Sequence, residues 1–196
     1  MNTFVDEMRG RIVLDFTPAW ELNDGAHRLK HFAAVEACGN AINDRLGLGY
    51  HPGLIMMVAM FHDMFSWSRV NHHHMSAEWV MTTDYDIIAS LTGEERLMVA
   101  AGCREHRASN QERFTSQFAA LMNAADREMP GDVDAMIERA VQYRVARGMS
   151  REEAMGPSIE HIVDKFGDGG YARYPDIYMD AFGDQLTEQR RLIANL

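Results

Sequence analysis

The sequence predicts an all-α protein, and three observations carry that expectation. Apolar residues recur at spacings of three and four rather than two. Helix-start signatures recur as well: Thr92-Gly93-Glu94-Glu95 and Ser150-Arg151-Glu152-Glu153 both read as capping boxes, in which hydroxyl and carboxylate each satisfy an orphan backbone donor. Strand signals are weak along the whole chain.

The elements follow in order. Between Ala26 and Leu46, residues His31, Val35, Cys38, Ile42 and Leu46 share one helical face, and Gly47-Leu48-Gly49 ends that helix. Pro52 opens the next at a position where its missing N–H costs little. This second helix carries an unbroken apolar run, Leu54 to Phe61, into His62-Asp63. A third is expected to begin near Met75-Ser76-Ala77 and to pass through Trp79 and Val80. The Thr92 box starts a helix reading Leu97, Met98, Ala101 and Cys103 up to His106, and 114–126 forms a shorter one. Pro130-Gly131 breaks the chain before an amphipathic helix from Asp132 to Gly148. The Ser150 box opens a segment running to Phe166, with Gly156-Pro157 as a candidate interruption. Gly167 to Gly170 and the aromatic stretch Tyr171–Tyr178 read as a structured loop or turn before a last helix.

At 196 residues, a single domain spanning 1–196 is the simpler expectation, with a motif-bearing core at about 24–130 and a helical extension at about 131–196. Hydrophobic residues make up 46% of the chain, which excludes disorder as the default; the 15 methionines read mostly as adaptable core filler. The formal net charge of −10 argues against a nucleic-acid polymer as partner, since such grooves neutralise phosphates. A local cationic pocket for a small anion remains compatible with it. Cys38 and Cys103 form neither a disulfide framework nor a CxxC motif. The acidic pair Asp6-Glu7 sits where a signal peptide needs a basic, then apolar, stretch, and no run approaches the roughly 20 apolar residues of a membrane span. The expectation is a reduced, cytoplasmic protein without a membrane partner.

Within that frame His62-Asp63 stands out. An unpartnered imidazole and carboxylate closing a buried apolar helix are expensive, and a metal ion that takes both as ligands removes the cost. Further ligand types lie on either side: His27, His31, His72-His73-His74, His106 and Asp126.

The ordered pattern His31 … His62-Asp63 … Asp126 resembles the HD-domain superfamily of metal-dependent phosphohydrolases. The likeness extends to their neighbours. His27 to Val35 resembles the H-x-x-x-H-x-x-x-V helix of small bacterial members, and Met60-Phe61-His62-Asp63-Met64 their apolar-His-Asp-apolar element. His72 followed by Ser76-Ala77, Arg104-Glu105-His106, and Ala124-Ala125-Asp126-Arg127 resemble later elements. The segment His161 to Phe166 slightly resembles a C-terminal His-x-x-x-Lys-aliphatic stretch. The resemblance implies a compact multi-helix fold with the metal between core helices, and His31, His62, Asp63 and Asp126 as its ligands.

Neutral imidazoles with two carboxylates suit Mn²⁺, Fe²⁺, Co²⁺, Ni²⁺ or Zn²⁺ better than Mg²⁺. One ion is favoured; if His72 and His106 both bind metal, a second is held. The implied activity is phosphohydrolysis of a small phosphorylated substrate, foremost a nucleotide, by metal-activated water attack on phosphorus. Asp63 would hold the metal and orient that water, while His27, His72 or His106 serve protonation and charge. Arg28, Lys30, Arg107 and Lys165 are candidate phosphate contacts, with Arg69, Arg104 and Arg127 near the motifs. His73 and His74 read as solvated or peripheral, and Glu105 as a solvated helix carboxylate. Trp20, Trp67 and Trp79 read as packing residues before base-stacking ones. Two other classes stay open: a di-iron oxygenase using the extended His set, and a non-catalytic, metal-stabilised nucleotide-binding module. A homodimer through Tyr171, Tyr174, Tyr178 and Phe182 competes with local packing of those aromatics.

Overall fold

In a computed structural model, residues 3–21, 29–110 and 113–196 are described. Among them the chain forms ten helices and no strand: α1 (Thr3–Trp20), α2 (Leu29–Arg45), α3 (Pro52–Phe61), α4 (His72–Thr82), α5 (Asp86–Ala89), α6 (Gly93–Glu105), α7 (Gln117–Ala125), α8 (Val133–Val145), α9 (Arg151–Phe166) and α10 (Asp176–Ile193). The all-α expectation holds. The chain divides into two compact units, Met1–Glu128 and Met129–Leu196. No described helix is long and apolar enough to cross a membrane.

The first unit is built around α3. Every residue from Gly53 to Phe61 is buried, as an all-round apolar helix must be if neighbours enclose it on each side. His51 caps its start by accepting from the Gly53 N–H at 3.1 Å, and Pro52 supplies the first helical φ. Two glycines let the neighbours come close. A Cβ on Gly39 of α2 would lie 2.7 Å from Ile55 Cγ2, and one on Gly102 of α6 would lie 2.8 Å from Val58 Cγ2. Phe16 of α1 and Trp79 of α4 pack on the Phe61 ring at centroid distances of 5.3 and 4.9 Å. Arg9 of α1 holds the buried Glu36 of α2 through a two-toothed ion pair. The buried helix α7, capped by the Ser116 hydroxyl, lies against α2 and α6.

The second unit packs α8 and α9 over a core that includes Val133, Ile137, Val141, Ala154 and Ile162, with Ile193 of α10 joining it. Ser150 and Glu153 form the expected capping box, as do Thr92 and Glu95 in the first unit. Tyr178 and Phe182 are buried, with ring centroids 5.1 Å apart, and Tyr174 packs on Tyr178 at 4.8 Å, so these aromatics pack on one another within the chain.

Several elements differ from the sequence expectation. The N-terminal helix α1 is not among the elements the sequence pattern predicts. Helix α4 begins at His72 rather than near Met75, which moves the three histidines from a loop onto a helical first turn. Helix α9 runs through Gly156-Pro157, with the Pro157 carbonyl accepting from Arg144 Nη2 at 2.9 Å. Tyr178 likewise belongs to α10 rather than to the preceding loop.

Candidate metal centre

Four candidate ligands on three segments come together in the first unit. His31 comes from α2, His62 and Asp63 from the end of α3, and Asp126 from the end of α7. His31 Nε2 lies 3.2 Å from Asp126 Oδ1, 3.3 Å from His62 Nε2 and 3.8 Å from Asp63 Oδ2. His62 Nε2 lies 3.4 Å from Asp63 Oδ2 and 3.5 Å from Asp126 Oδ1. Two imidazole nitrogens and Asp63 Oδ2 thus face one point, and Asp126 Oδ1 lies beside both imidazoles but outside the group whose ligand atoms are all mutually close. An ion about 2.1 Å from such atoms sets neighbouring ligands about 3.0–3.5 Å apart, so the spacing suits a metal.

Asp63 has a second face. Its other oxygen, Oδ1, lies 3.3 Å from His72 Nε2 of α4 and 3.4 Å from His106 Nε2 at the end of α6. Those two nitrogens are 3.3 Å apart. Each of the groups His31–His62–Asp63 and Asp63–His72–His106 could hold a metal ion.

The imidazoles are turned for ligation by their other nitrogens. His62 Nδ1 donates to the Ala59 carbonyl at 2.9 Å, and His106 Nδ1 to the Cys103 carbonyl at 2.7 Å. A carbonyl only accepts, so each Nδ1 carries the proton and each Nε2 offers a lone pair to the cluster. Asn123, buried on α7, fixes the His106 segment further: its Nδ2 donates to the carbonyls of Glu105, His106 and Arg107 at 2.7, 3.1 and 2.9 Å. His31 Nδ1 lies 3.1 Å from Glu128 Oε1.

Electrostatics bind the cluster together. Burial pulls the His31 and His62 imidazoles down, but the surrounding carboxylates outweigh it and lift them to about 9 and about 10. Burial likewise pushes the Asp63 and Asp126 carboxyls up, and the facing imidazoles overcome that and hold both well below the usual carboxylate range. His72 moves the other way, lowered by burial. With a metal bound, the ion takes the place of those shared protons.

A cleft of about 470 Å³ is lined by chain neighbours of His72 and His106, and not by the residues of the second group themselves. Its lining includes His73, His74, Arg104, Arg107 and Arg113. His73 is the chain neighbour of His72, with rings 5.4 Å apart, and Arg107 follows His106. Glu105 also lines it, but its carboxylate accepts from the Thr115 N–H at 2.9 Å and from the Thr115 hydroxyl at 2.5 Å.

The remaining candidates are placed as follows. Lys30 is exposed on α2, and Lys165 belongs to the second unit, its ammonium 4.9 Å over the Phe166 ring. His27 and Arg28 lie outside the described residues. Trp20 is buried and Trp79 packs on Phe61, whereas Trp67 is exposed. Glu105 is buried and bonded rather than solvated, which corrects the sequence reading; its Thr115 partner is ten residues away and gave no local signal. Glu128, Asn123 and Arg113 were also missed. Only the clustering of arginines after His106 hinted at the cleft. No family model, curated protein or solved structure matches this chain.

Proposed function

We propose that the chain is an HD-type, metal-dependent phosphohydrolase acting on a small phosphorylated substrate, with nucleotides the first class to test. The observation that carries this reading is Asp63, whose two carboxylate oxygens face two separate imidazole pairs. It supports a site for two ions, with Asp63 shared between them, rather than the single ion favoured by sequence alone. His31, His62 and Asp126 complete one position; His72 and His106 complete the other.

Divalent ions bound there supply a water of near-neutral pKa and screen the charge of a phosphoryl group. The chain's own residues do the rest. Asp63 and Asp126 fix the geometry of the first position, and the carbonyl-anchored rings of His62 and His106 cannot swing away. Arg107 and His73 line the cleft, and their donors would receive phosphate oxygens. Donor chemistry of nitrogen plus carboxylate favours Mn²⁺, Fe²⁺, Co²⁺, Ni²⁺ or Zn²⁺.

The test is incubation of the Mn²⁺-loaded protein with ribo- and deoxynucleotides and simple phosphate esters, with products resolved by ³¹P NMR. The reading expects phosphate, pyrophosphate or triphosphate release by wild type and a loss of about 10³-fold or more in Asp63→Asn. No turnover by folded, metal-loaded protein refutes it. A second reading, oxidation by O₂ at a two-iron centre, draws on the same shared carboxylate, and O₂ consumption by iron-loaded protein distinguishes it.

A further inference from the structure

We propose that the cleft beside His72 and His106 seats the additional phosphates of a polyphosphorylated substrate, so that the chain prefers di- and triphosphates to monophosphates; this rests on the phosphohydrolase reading above. The observations are of charge, partnering and shape. Arg104, Arg107 and Arg113 bring three guanidinium groups to one cleft, and none of them forms an ion pair among the described residues. This is unusual in a chain of net charge −10, where carboxylates outnumber cations and elsewhere capture Arg9, Arg11, Arg151 and Arg191. Among the described residues of the lining the one carboxylate, Glu105, is turned to Thr115 by two hydrogen bonds. Only Arg107 is spoken for in part, by one hydrogen bond from its Nη1 to the Val70 carbonyl at 3.1 Å.

A single phosphoryl group at the ions needs no such surplus. Ions held by the Asp63 cluster would already neutralise it, and one cation of the cleft would suffice beside them. Two further guanidiniums and the exposed His74 call for more anionic oxygen than one phosphate carries. The described lining holds no Phe, Tyr, Trp, Leu, Ile, Val or Met side chain, so it offers no apolar wall to a nucleobase, and its surplus is of cationic donors. Selection in this cleft therefore reads the phosphate chain before the group attached to it.

The experiment compares kcat/KM for AMP, ADP, ATP and inorganic triphosphate in wild type and in the double variant Arg104→Gln/Arg113→Gln. Both positions are exposed, so the fold tolerates the change, and circular dichroism verifies it. The expected result is a preference of at least about tenfold for ATP and inorganic triphosphate over AMP, since charge-assisted contacts are the strong ones. Removing the nucleoside altogether changes the triphosphate value by less than about threefold, and the double variant loses most of the preference. A preference for AMP, or one that survives the double substitution, overturns the proposal. If no phosphate compound is turned over, the hydrolase reading falls first, and calorimetric titration of inorganic triphosphate into the purified protein then judges the cleft. Binding that the double variant loses upholds it, and no binding by wild type overturns it.

Discussion

His31 and Glu128 are joined across the site: His31 Nδ1 lies 3.1 Å from Glu128 Oε1, and Glu128 is the one non-glycine residue among those described with a left-handed backbone, at φ 58°. A left-handed residue other than glycine costs about 1–2 kcal/mol, and the carboxylate is what glycine could not supply. A carboxylate on the outer nitrogen fixes the ring of a ligating histidine and raises its basicity. Glu128→Gly should therefore keep or raise the melting temperature while weakening metal binding about 10- to 100-fold. Glu128→Gln, which can still accept from Nδ1, should fall between. Metal titration beside thermal unfolding checks this, and an unchanged affinity in Glu128→Gly would make Glu128 a turn residue only.

Proton and metal compete for the same atoms. With no metal bound, the carboxylates hold His31 at about 9 and His62 at about 10, above the unfolded value of 6.5. The sign follows: this contribution to stability is complete below pH 6.5 and is lost as pH rises through 9 to 10. The lowered Asp63 and Asp126 carboxyls contribute above their ordinary value of 3.8 and lose that contribution in acid. A bound ion needs the imidazoles unprotonated, so binding releases protons and strengthens with pH. The gap in melting temperature between metal-loaded and chelator-treated protein should widen steadily from pH 6 to pH 9. A gap independent of pH would contradict the assignment of these histidines.

Packing around α3 is tight where the ligand helices cross. Gly102→Ala drives a methyl to within 2.8 Å of Val58 Cγ2, and overpacking of this kind costs about 1–3 kcal/mol. Val58→Ala opens space at the same contact. The double variant should be more stable than the sum of the two single effects, by about 0.5 kcal/mol or more, in urea unfolding. Strict additivity would show that the two residues are not in contact.

The Arg9–Glu36 pair makes a further prediction. Glu36 is 7% exposed, and removal of its guanidinium partner leaves a carboxylate with little solvent. Arg9→Met should cost about 2–3 kcal/mol. Adding Glu36→Gln should recover part of it.

The convergence of the candidate ligands was legible in the sequence because they sit on strongly patterned helices. His62-Asp63 closes a run with no polar residue, and His31 and Asp126 lie on or beside helices whose apolar faces fix their direction. The two capping boxes and the proline start of α3 are local signals, and all three appear as expected. What the sequence hid was non-local. That Asp63 presents a different oxygen to each imidazole pair depends on α4 and α6 lying side by side, which no spacing encodes. Glu128 acts from a left-handed turn, and Asn123 through three carbonyls on another segment; neither has a motif. Pro157 misled because helix packing in the second unit overrides the single backbone hydrogen bond it removes.

The shared carboxylate of Asp63 is best tested by counting metal. Elemental analysis of Mn²⁺-loaded protein after desalting should give about two equivalents per chain in wild type, and about one in His72→Ala/His106→Ala. Asp63→Ala should hold close to none. One equivalent in wild type, or a content untouched by loss of both His72 and His106, would contradict a second ion held by Asp63.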